Sequence, residues 1–293
     1  MKYGAIDIGT NAARLLIGEV VHDNDRSFVK KISYTRIPLR LGDDVFSLGR
    51  VHVKKRLNLI NTMKAFKIIT DIFEVSQVQA YATSAMREAE NASQIVMDIK
   101  SKTGIDLKII TGSEEANVNL STFMLFDLDK GHPFVVIDVG GGSTEINIFK
   151  DGEKVGSKSF KVGTLRILRG KLNEAVWSEI SEWIASYTIS DEKYILFGTG
   201  GNINKARKLL ARGPNQAVSY AELIKLKKQL ESLTLGDRMK KFQLRPDRAD
   251  VIVPAIEIYT RLISNFKSNF IRVPKIGLSD GMIYQMYLKE KNK

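Results

Sequence analysis

Along the chain, short runs of alternating or continuous apolar residues give way repeatedly to stretches with an apolar residue every three or four positions. The first pattern predicts strands and the second helices. Strands are expected at YGAIDIG (3–9), RLLIGEVV (14–21) and FVKKISYTRIPLRL (28–41), followed by a helix over 50–74 that shows the spacing of Leu57, Ile60, Met63 and Phe66. VQAYAT (78–83) and DLKIIT (106–111) read as strands, each followed by a helix, over 88–102 and 113–127. Strands recur at FVVIDVG (134–140), TEINIF (144–149) and EKVGSKSFKV (153–162). Helices are expected at about 164–170 and 173–187, a strand at KYILFG (193–198), and helices from 201 to about 268. A short strand FIRVP (270–274) precedes a last helix over 279–290. Strands alternating with helices predict an α/β fold.

The opening pattern occurs twice. Ile6-Asp7-Ile8-Gly9 and Ile137-Asp138-Val139-Gly140 stand 131 residues apart. Each runs through small and hydroxyl residues (Thr10-Asn11; Ser143-Thr144) into a second strand. Two copies of one strand–turn–strand unit predict two related domains with a cleft between them. The boundary is placed near 126–132, where DLDKGHP carries charges, Gly131 and Pro133. The expected division is 1–128 and 129–278, with a C-terminal helix over about 279–293 packing back on the first domain.

Three consecutive glycines, Gly140, Gly141 and Gly142, weaken a strand and call for a reason. A glycine turn aims successive N–H groups into one concavity and binds anions, phosphate above all. Asp138, just before it, suits a phosphate site only with a divalent cation between them; Mg²⁺ takes one or two carboxylates, waters and phosphate oxygens. Asp7-Ile8-Gly9-Thr10-Asn11 fits the same logic. The candidate phosphate grip is Gly9, Thr10, Asn11, Gly140, Gly141, Gly142, Ser143 and Thr144, and the candidate metal ligands are Asp7, Asp138 and Glu145. Either turn alone also reads as an ordinary β-turn, and Glu145 as an outward strand residue. Arg14, inside an apolar strand, and Arg87, at a strand's C-terminal end, suit phosphate because a guanidinium fork matches its oxygens. Arg87 also reads as a surface salt bridge. In TGSEEANV, Thr111 and Glu114 have capping-box spacing. Glu115 is left over, either as another first-turn acid favoured by the helix dipole or as a carboxylate for chemistry.

Composition narrows the setting. The chain has no cysteine and only three histidines, which excludes disulfides and thiolate metal sites and argues against a His-based zinc site. Asp7 interrupts any secretory apolar region, and no run reaches the ~20 residues of a membrane span, so a cytoplasmic protein is expected. The net charge is +12, and residues 205–245 hold eleven Lys/Arg against three Asp/Glu. That stretch reads as a solvated face or as a track for a polyanion.

GAIDIGTNAARLLI, YATSAMREAENA, TGSEEANV, VIDVGGGSTEINI, KVGTLRI, GTGGNINKARKL, RADVIVPA and GLSDGMIYQ fall in order from residue 4 to 285. Together they resemble the exopolyphosphatase / guanosine pentaphosphate phosphohydrolase family. The resemblance implies two related actin-like (ribonuclease H-like) domains and hydrolysis of terminal phosphate from inorganic polyphosphate or guanosine pentaphosphate (pppGpp). The cofactor expected from the aspartates and glycine turns is Mg²⁺ or another divalent cation; the resemblance implies a homodimer, and it gives Glu115 the role of general base and Arg14 and Arg87 those of family arginines. Some members carry an extra helical C-terminal region, and the two core domains alone are expected here. Asn202 stands where the family usually has threonine, Asn117 where many members have arginine, and NAARLL replaces a commoner hydroxyl-rich run. These departures leave base and metal ligands in place and bear on chain-length preference and nucleotide recognition. Competing readings are a sugar kinase of the same fold, a non-catalytic alarmone or polyphosphate sensor, and a nucleic-acid binder resting on charge alone; neither nucleic acid nor membrane is expected as a partner.

Overall fold

A computed structural model describes residues 1–23, 26–123, 131–189, 192–213 and 216–292. Its contacts divide into two units, residues 1–128 with 276–293, and residues 129–275. The boundary expected near 126–132 falls mostly outside the described residues, as does the end of the helix expected over 113–127.

The first unit runs β1 (Tyr3–Ile8), β2 (Ala13–Asp23), β3 (Arg26–Ile37), α1 (Leu41–Leu48), α2 (Val53–Ile72), β4 (Gln77–Ala82), α3 (Ser84–Glu88), α4 (Ala92–Thr103), β5 (Leu107–Ile109) and α5 (Gly112–Phe123). The second runs β6 (Phe134–Val139), β7 (Thr144–Lys150), β8 (Glu153–Phe160), α6 (Thr164–Leu168), α7 (Val176–Tyr187), β9 (Ile195–Thr199), α8 (Gly201–Leu209), β10 (Ala217–Ser219), α9 (Tyr220–Glu231), α10 (Leu235–Phe242), α11 (Pro246–Ala249), α12 (Ile252–Asn265) and β11 (Phe270–Arg272). The last helix, α13 (Leu278–Lys291), belongs to the first unit.

The sheets share one topology. The first is ordered β3-β2-β1-β4-β5, and the second, from its other edge, β8-β7-β6-β9-β11, with β10 added. In each, the first three strands are antiparallel and the next two join in parallel. The 131-residue repeat holds to the residue: β1 and β6 start and end at that offset, and so do the starts of β2 and β7. This is the mixed α/β architecture of two related domains that the pattern predicts.

Four details differ from the sequence pattern. The strand expected over 28–41 stops at Ile37, because Pro38 has no N–H for the ladder. A helix, α1, follows, entered through Arg40 in a left-handed conformation (φ 51°). In α2 the buried apolar face is Leu59, Ile60, Met63 and Phe66, and Leu57 points to solvent with 52% exposure. The helix expected over 88–102 is two helices, so Arg87 lies in the last turn of α3 and does not open α4. Finally, β10 interrupts the helices expected from 201 to 268, pairing its three residues with β11.

The first core gathers Tyr3, Ala5 and Leu16 from the sheet with Val118 from α5 and Leu278, Met282, Ile283 and Met286 from α13. That crossing depends on a residue without a side chain: a Cβ at Gly281 would lie 2.0 Å from the Val118 carbonyl oxygen. In an open helix, Gly→Ala stabilises by about 1 kcal/mol. Here Gly281→Ala is expected to destabilise by about 1–3 kcal/mol through overpacking. Urea unfolding reads the sign; a midpoint equal to or above that of the parent contradicts the packing described.

Candidate active site

In the second unit, the turn after β6 is held from behind. Gly140 N–H donates to the Ser143 carbonyl (2.9 Å), closing the turn. The carbonyls face the other way: Thr164 N–H donates to Gly140 O (3.1 Å), while Leu165 and Arg166 N–H donate to Gly141 O (2.8 and 3.1 Å). Arg166 Nε takes Gly142 O (2.9 Å). Three carbonyls are thus consumed by residues 164–166. Among the described residues nothing accepts from the N–H groups of Gly141 and Gly142, leaving a pair of donors of the kind that forms an anion nest. The close approach needs Gly163, where a Cβ would lie 2.5 Å from Gly141 C and Gly142 N. The Thr164 hydroxyl, fully buried behind the turn, has no hydrogen-bond partner among the described residues.

The two carboxylates of this unit flank the turn. Asp138 and Glu145 are direct partners in the β6–β7 register. Glu145 is buried and accepts from the Ser143 and Ser159 hydroxyls, both at 2.7 Å. Asp138 packs on the turn after β9: Gly200 adopts φ +91°, and a Cβ there would lie 2.6 Å from Asp138 Oδ1. Beneath both turns, Tyr259 donates to the Thr199 carbonyl (2.5 Å) and accepts from Val139 N–H (3.3 Å). Burial, with the Asp138 charge adding to it, raises the phenol pKa well above its usual value, so the hydroxyl keeps its proton for this bridge.

The first unit repeats the turn. Gly9 N–H donates to Ala12 O (3.0 Å), and the carbonyls of Thr10 and Asn11 are taken by Gly42 N–H (3.0 Å) and Arg40 N–H (2.9 Å), around the start of α1. Asp7 and Arg14, partners in the β1–β2 register, form an ion pair with each other, and Arg14 Nη1 lies against Gly9. A predicted metal ligand and a predicted phosphate clamp therefore share one hydrogen bond.

The remaining predicted residues gather at the C-terminal ends of the parallel strands β4 and β5, where open α/β sheets place ligands. Glu114 makes the capping box: Thr111 N–H donates to its carboxylate (2.8 Å), and Glu114 N–H donates to Thr111 Oγ1 (3.2 Å). A hydrogen bond from Lys108, then those from Thr111, push the Glu114 pKa down to about 2. Glu115 plays no part in that cap. It is 9% exposed, and Arg87 Nη1 donates to its Oε2 (3.0 Å) and to Ile110 O (2.9 Å). Arg87 thus fixes a buried carboxylate against the end of β5.

Within the second unit the structure brings together Asp138, Gly140, Gly141, Gly142, Ser143, Thr144 and Glu145; within the first, Asp7, Gly9, Thr10, Asn11 and Arg14 form one group and Arg87 and Glu115 another. Among the described residues no set of three or more His, Cys, Asp or Glu forms a metal-holding group. A groove lined by Thr188, Tyr194, Phe266 and Phe270 lies at the start of β9, away from Thr199, and holds none of these residues. Sequence reasoning missed Gly163, Thr164, Ser159 and Tyr259. KVGT carried a signal in its glycine, but Tyr259 sits in an ordinary apolar helix stretch and gave none.

The profile of the Ppx/GppA phosphatase family matches residues 20–290. The bifunctional 3-dehydroquinate synthase/phosphatase of Fusobacterium nucleatum is 28% identical, covering 92% of this chain and 44% of that protein. Exopolyphosphatase 1 of Mycobacterium bovis is 29% identical, over 58% of this chain and 48% of its own length. The chain thus spans about half the length of these two curated relatives. Among solved structures, an exopolyphosphatase from Cytophaga hutchinsonii superposes with a TM-score of 0.83 at 23% identity, over 99% of this chain and 98% of the other. An Aquifex aeolicus Ppx/GppA protein gives 0.78 at 23% identity, over 100% and 99%. Family profile, relatives and fold agree: the chain belongs to the Ppx/GppA phosphatase family.

Proposed function

We propose that the protein is an exopolyphosphatase, hydrolysing the terminal phosphoanhydride of inorganic polyphosphate, with Glu115 as general base. The observation that carries this reading is the division of labour in TGSEEANV. Glu114 satisfies the helix end, so the buried, Arg87-held Glu115 has no structural task at the cap. In the proposed step, Glu115 takes a proton from water as its oxygen bonds to the terminal phosphorus, and the P–O anhydride bond breaks with its electron pair going to the leaving phosphate chain. Arg87 orients the base. In the second unit the N–H groups of Gly141 and Gly142 hold phosphoryl oxygens, and in the first unit Arg14 is the cation beside the matching turn. Guanosine pentaphosphate offers the same bond, and the names of the exopolyphosphatase relatives favour the inorganic chain.

The residues present suit Mg²⁺. Asp138 and Glu145 are hard oxygen donors side by side, matching a cation held by one or two carboxylates, water and phosphate oxygens. Asp7 is the corresponding carboxylate of the first unit, where it pairs with Arg14. When bound, Mg²⁺ would neutralise charge on the phosphoryl oxygens.

A phosphate-release assay with polyphosphates of several lengths and guanosine pentaphosphate tests the assignment. Glu115→Gln is expected to lose about 10²–10⁴-fold in turnover while still binding substrate; Glu114→Gln should lower the unfolding midpoint and keep its turnover. Parent-like turnover in Glu115→Gln would dismiss the base. Asp138→Asn is expected to raise the Mg²⁺ concentration needed for half-maximal rate and to lower the maximal rate; an unchanged Mg²⁺ titration removes Asp138 from the metal site. Gly163→Ala should push the 140–143 turn out of shape and weaken inhibition by orthophosphate; an unchanged inhibition constant argues against that turn as the grip.

A further inference from the structure

Strand register places one row of side chains across the second sheet beside the 140–143 turn. Asp138 on β6 faces Glu145 on β7, and Glu145 faces Ser159 on β8. Directly paired residues of neighbouring strands lie on the same face, within reach of one another. The matching row of the first unit is Asp7, Arg14 and Arg36. The third place is thus a guanidinium in one unit and a hydroxyl in the other. Ser159 donates to Glu145 Oε1 (2.7 Å), the same oxygen that takes the Ser143 hydroxyl (2.7 Å). The two donors come from different segments, the glycine turn and β8, and they converge on one atom of a buried side chain. The last torsion of a glutamate is broad when nothing holds it, so these bonds decide where the carboxylate plane lies. Ser159 is itself held in place. Thr144 Oγ1 donates to Val162 O (2.7 Å), tying the chain just after β8 to β7. The neighbouring Phe160 is buried on the opposite face, its ring edge-on to Trp183 at 5.5 Å.

We propose that Ser159 is a positioning residue, whose hydroxyl sets the orientation in which Glu145 meets a divalent cation beside Asp138. It touches neither substrate nor cation and acts through Glu145. This rests on the metal-binding part of the proposed function and deepens it, giving β8, the edge strand of the sheet, a part in the site. A hydrogen-bond partner behind a metal ligand typically carries about 10–100-fold in metal affinity, because it removes the cost of orienting the ligand at the moment of binding.

The test is Mn²⁺ binding to the full chain without substrate, read by electron paramagnetic resonance of the free ion; Mn²⁺ takes the same oxygen donors as Mg²⁺. Ser159→Ala is expected to weaken binding by about 10–100-fold. Ser159→Thr, which keeps the hydroxyl and suits a strand, should restore most of it. Ser157→Ala is the control. Ser157 lies on the same face of β8 and donates to Asn147 Oδ1 (2.8 Å), so its loss removes a comparable hydrogen bond from the same strand pair and should leave Mn²⁺ affinity as in the parent. Asp138→Asn removes a proposed ligand and should weaken binding at least as much as Ser159→Ala. Parent-like affinity in Ser159→Ala beside a loss in Asp138→Asn overturns the role of Ser159 and leaves the metal site standing. Parent-like affinity in both removes the metal site, and Ser159 with it. An equal loss in Ser157→Ala, or no recovery in Ser159→Thr, reduces the effect to the stability of the sheet edge and overturns the assignment. Binding is read without hydrolysis, so a failure of Glu115 as base would leave this result intact.

Discussion

The site depends on the direction in which one turn's peptide groups point. A peptide unit has a donor at one side and an acceptor at the other, so a segment that binds anions through its N–H groups must settle its carbonyls elsewhere. Residues 164–166 do this for Gly140, Gly141 and Gly142, with Arg166 contributing both its N–H and its Nε. Glycine is needed at position 163, because a Cβ there would collide with the Gly141–Gly142 peptide. The first unit solves the same problem, passing the carbonyls of Thr10 and Asn11 to the backbone of Gly42 and Arg40. The repeat detected in the sequence is therefore a repeat of hydrogen-bond direction as well as of strand order.

Charge is distributed around these turns by strand register. Residues facing each other across β1–β2 are Asp7 and Arg14; at the same offset across β6–β7 they are Asp138 and Glu145. One position is thus a compensated pair and its counterpart a pair of acids. Two carboxylates side by side repel unless a proton, hydrogen bonds or a cation intervenes. Ser143 and Ser159 stabilise Glu145, and in the proposed function a cation relieves the pair further. Glu115 differs again, as a buried carboxylate that pairs with the guanidinium of Arg87.

Much of this was legible in the sequence. The offset between Asp7 and Asp138, the glycine turns and the capping box of Thr111 and Glu114 are local patterns, and local hydrogen bonding enforces them. The structure added what depends on distant partners. Tyr259 bridges Val139 and Thr199 from 120 and 60 residues away. The exposure of Leu57 could not be read from spacing, because Leu59 and Ile60 satisfy the same helical periodicity on the neighbouring face. The pairing of Arg14 with Asp7 required the strand register, and the left-handed entry to α1 at Arg40 follows from a turn that no composition signal marked.

The orientation of the 140–143 turn is the claim on which the rest stands, and amide NMR reads it directly. In a titration with inorganic triphosphate in EDTA, the N–H resonances of Gly141 and Gly142 are expected to shift progressively and saturate together with binding, as donors to phosphate oxygens do. Saturable triphosphate binding that leaves both amides unmoved would contradict the account.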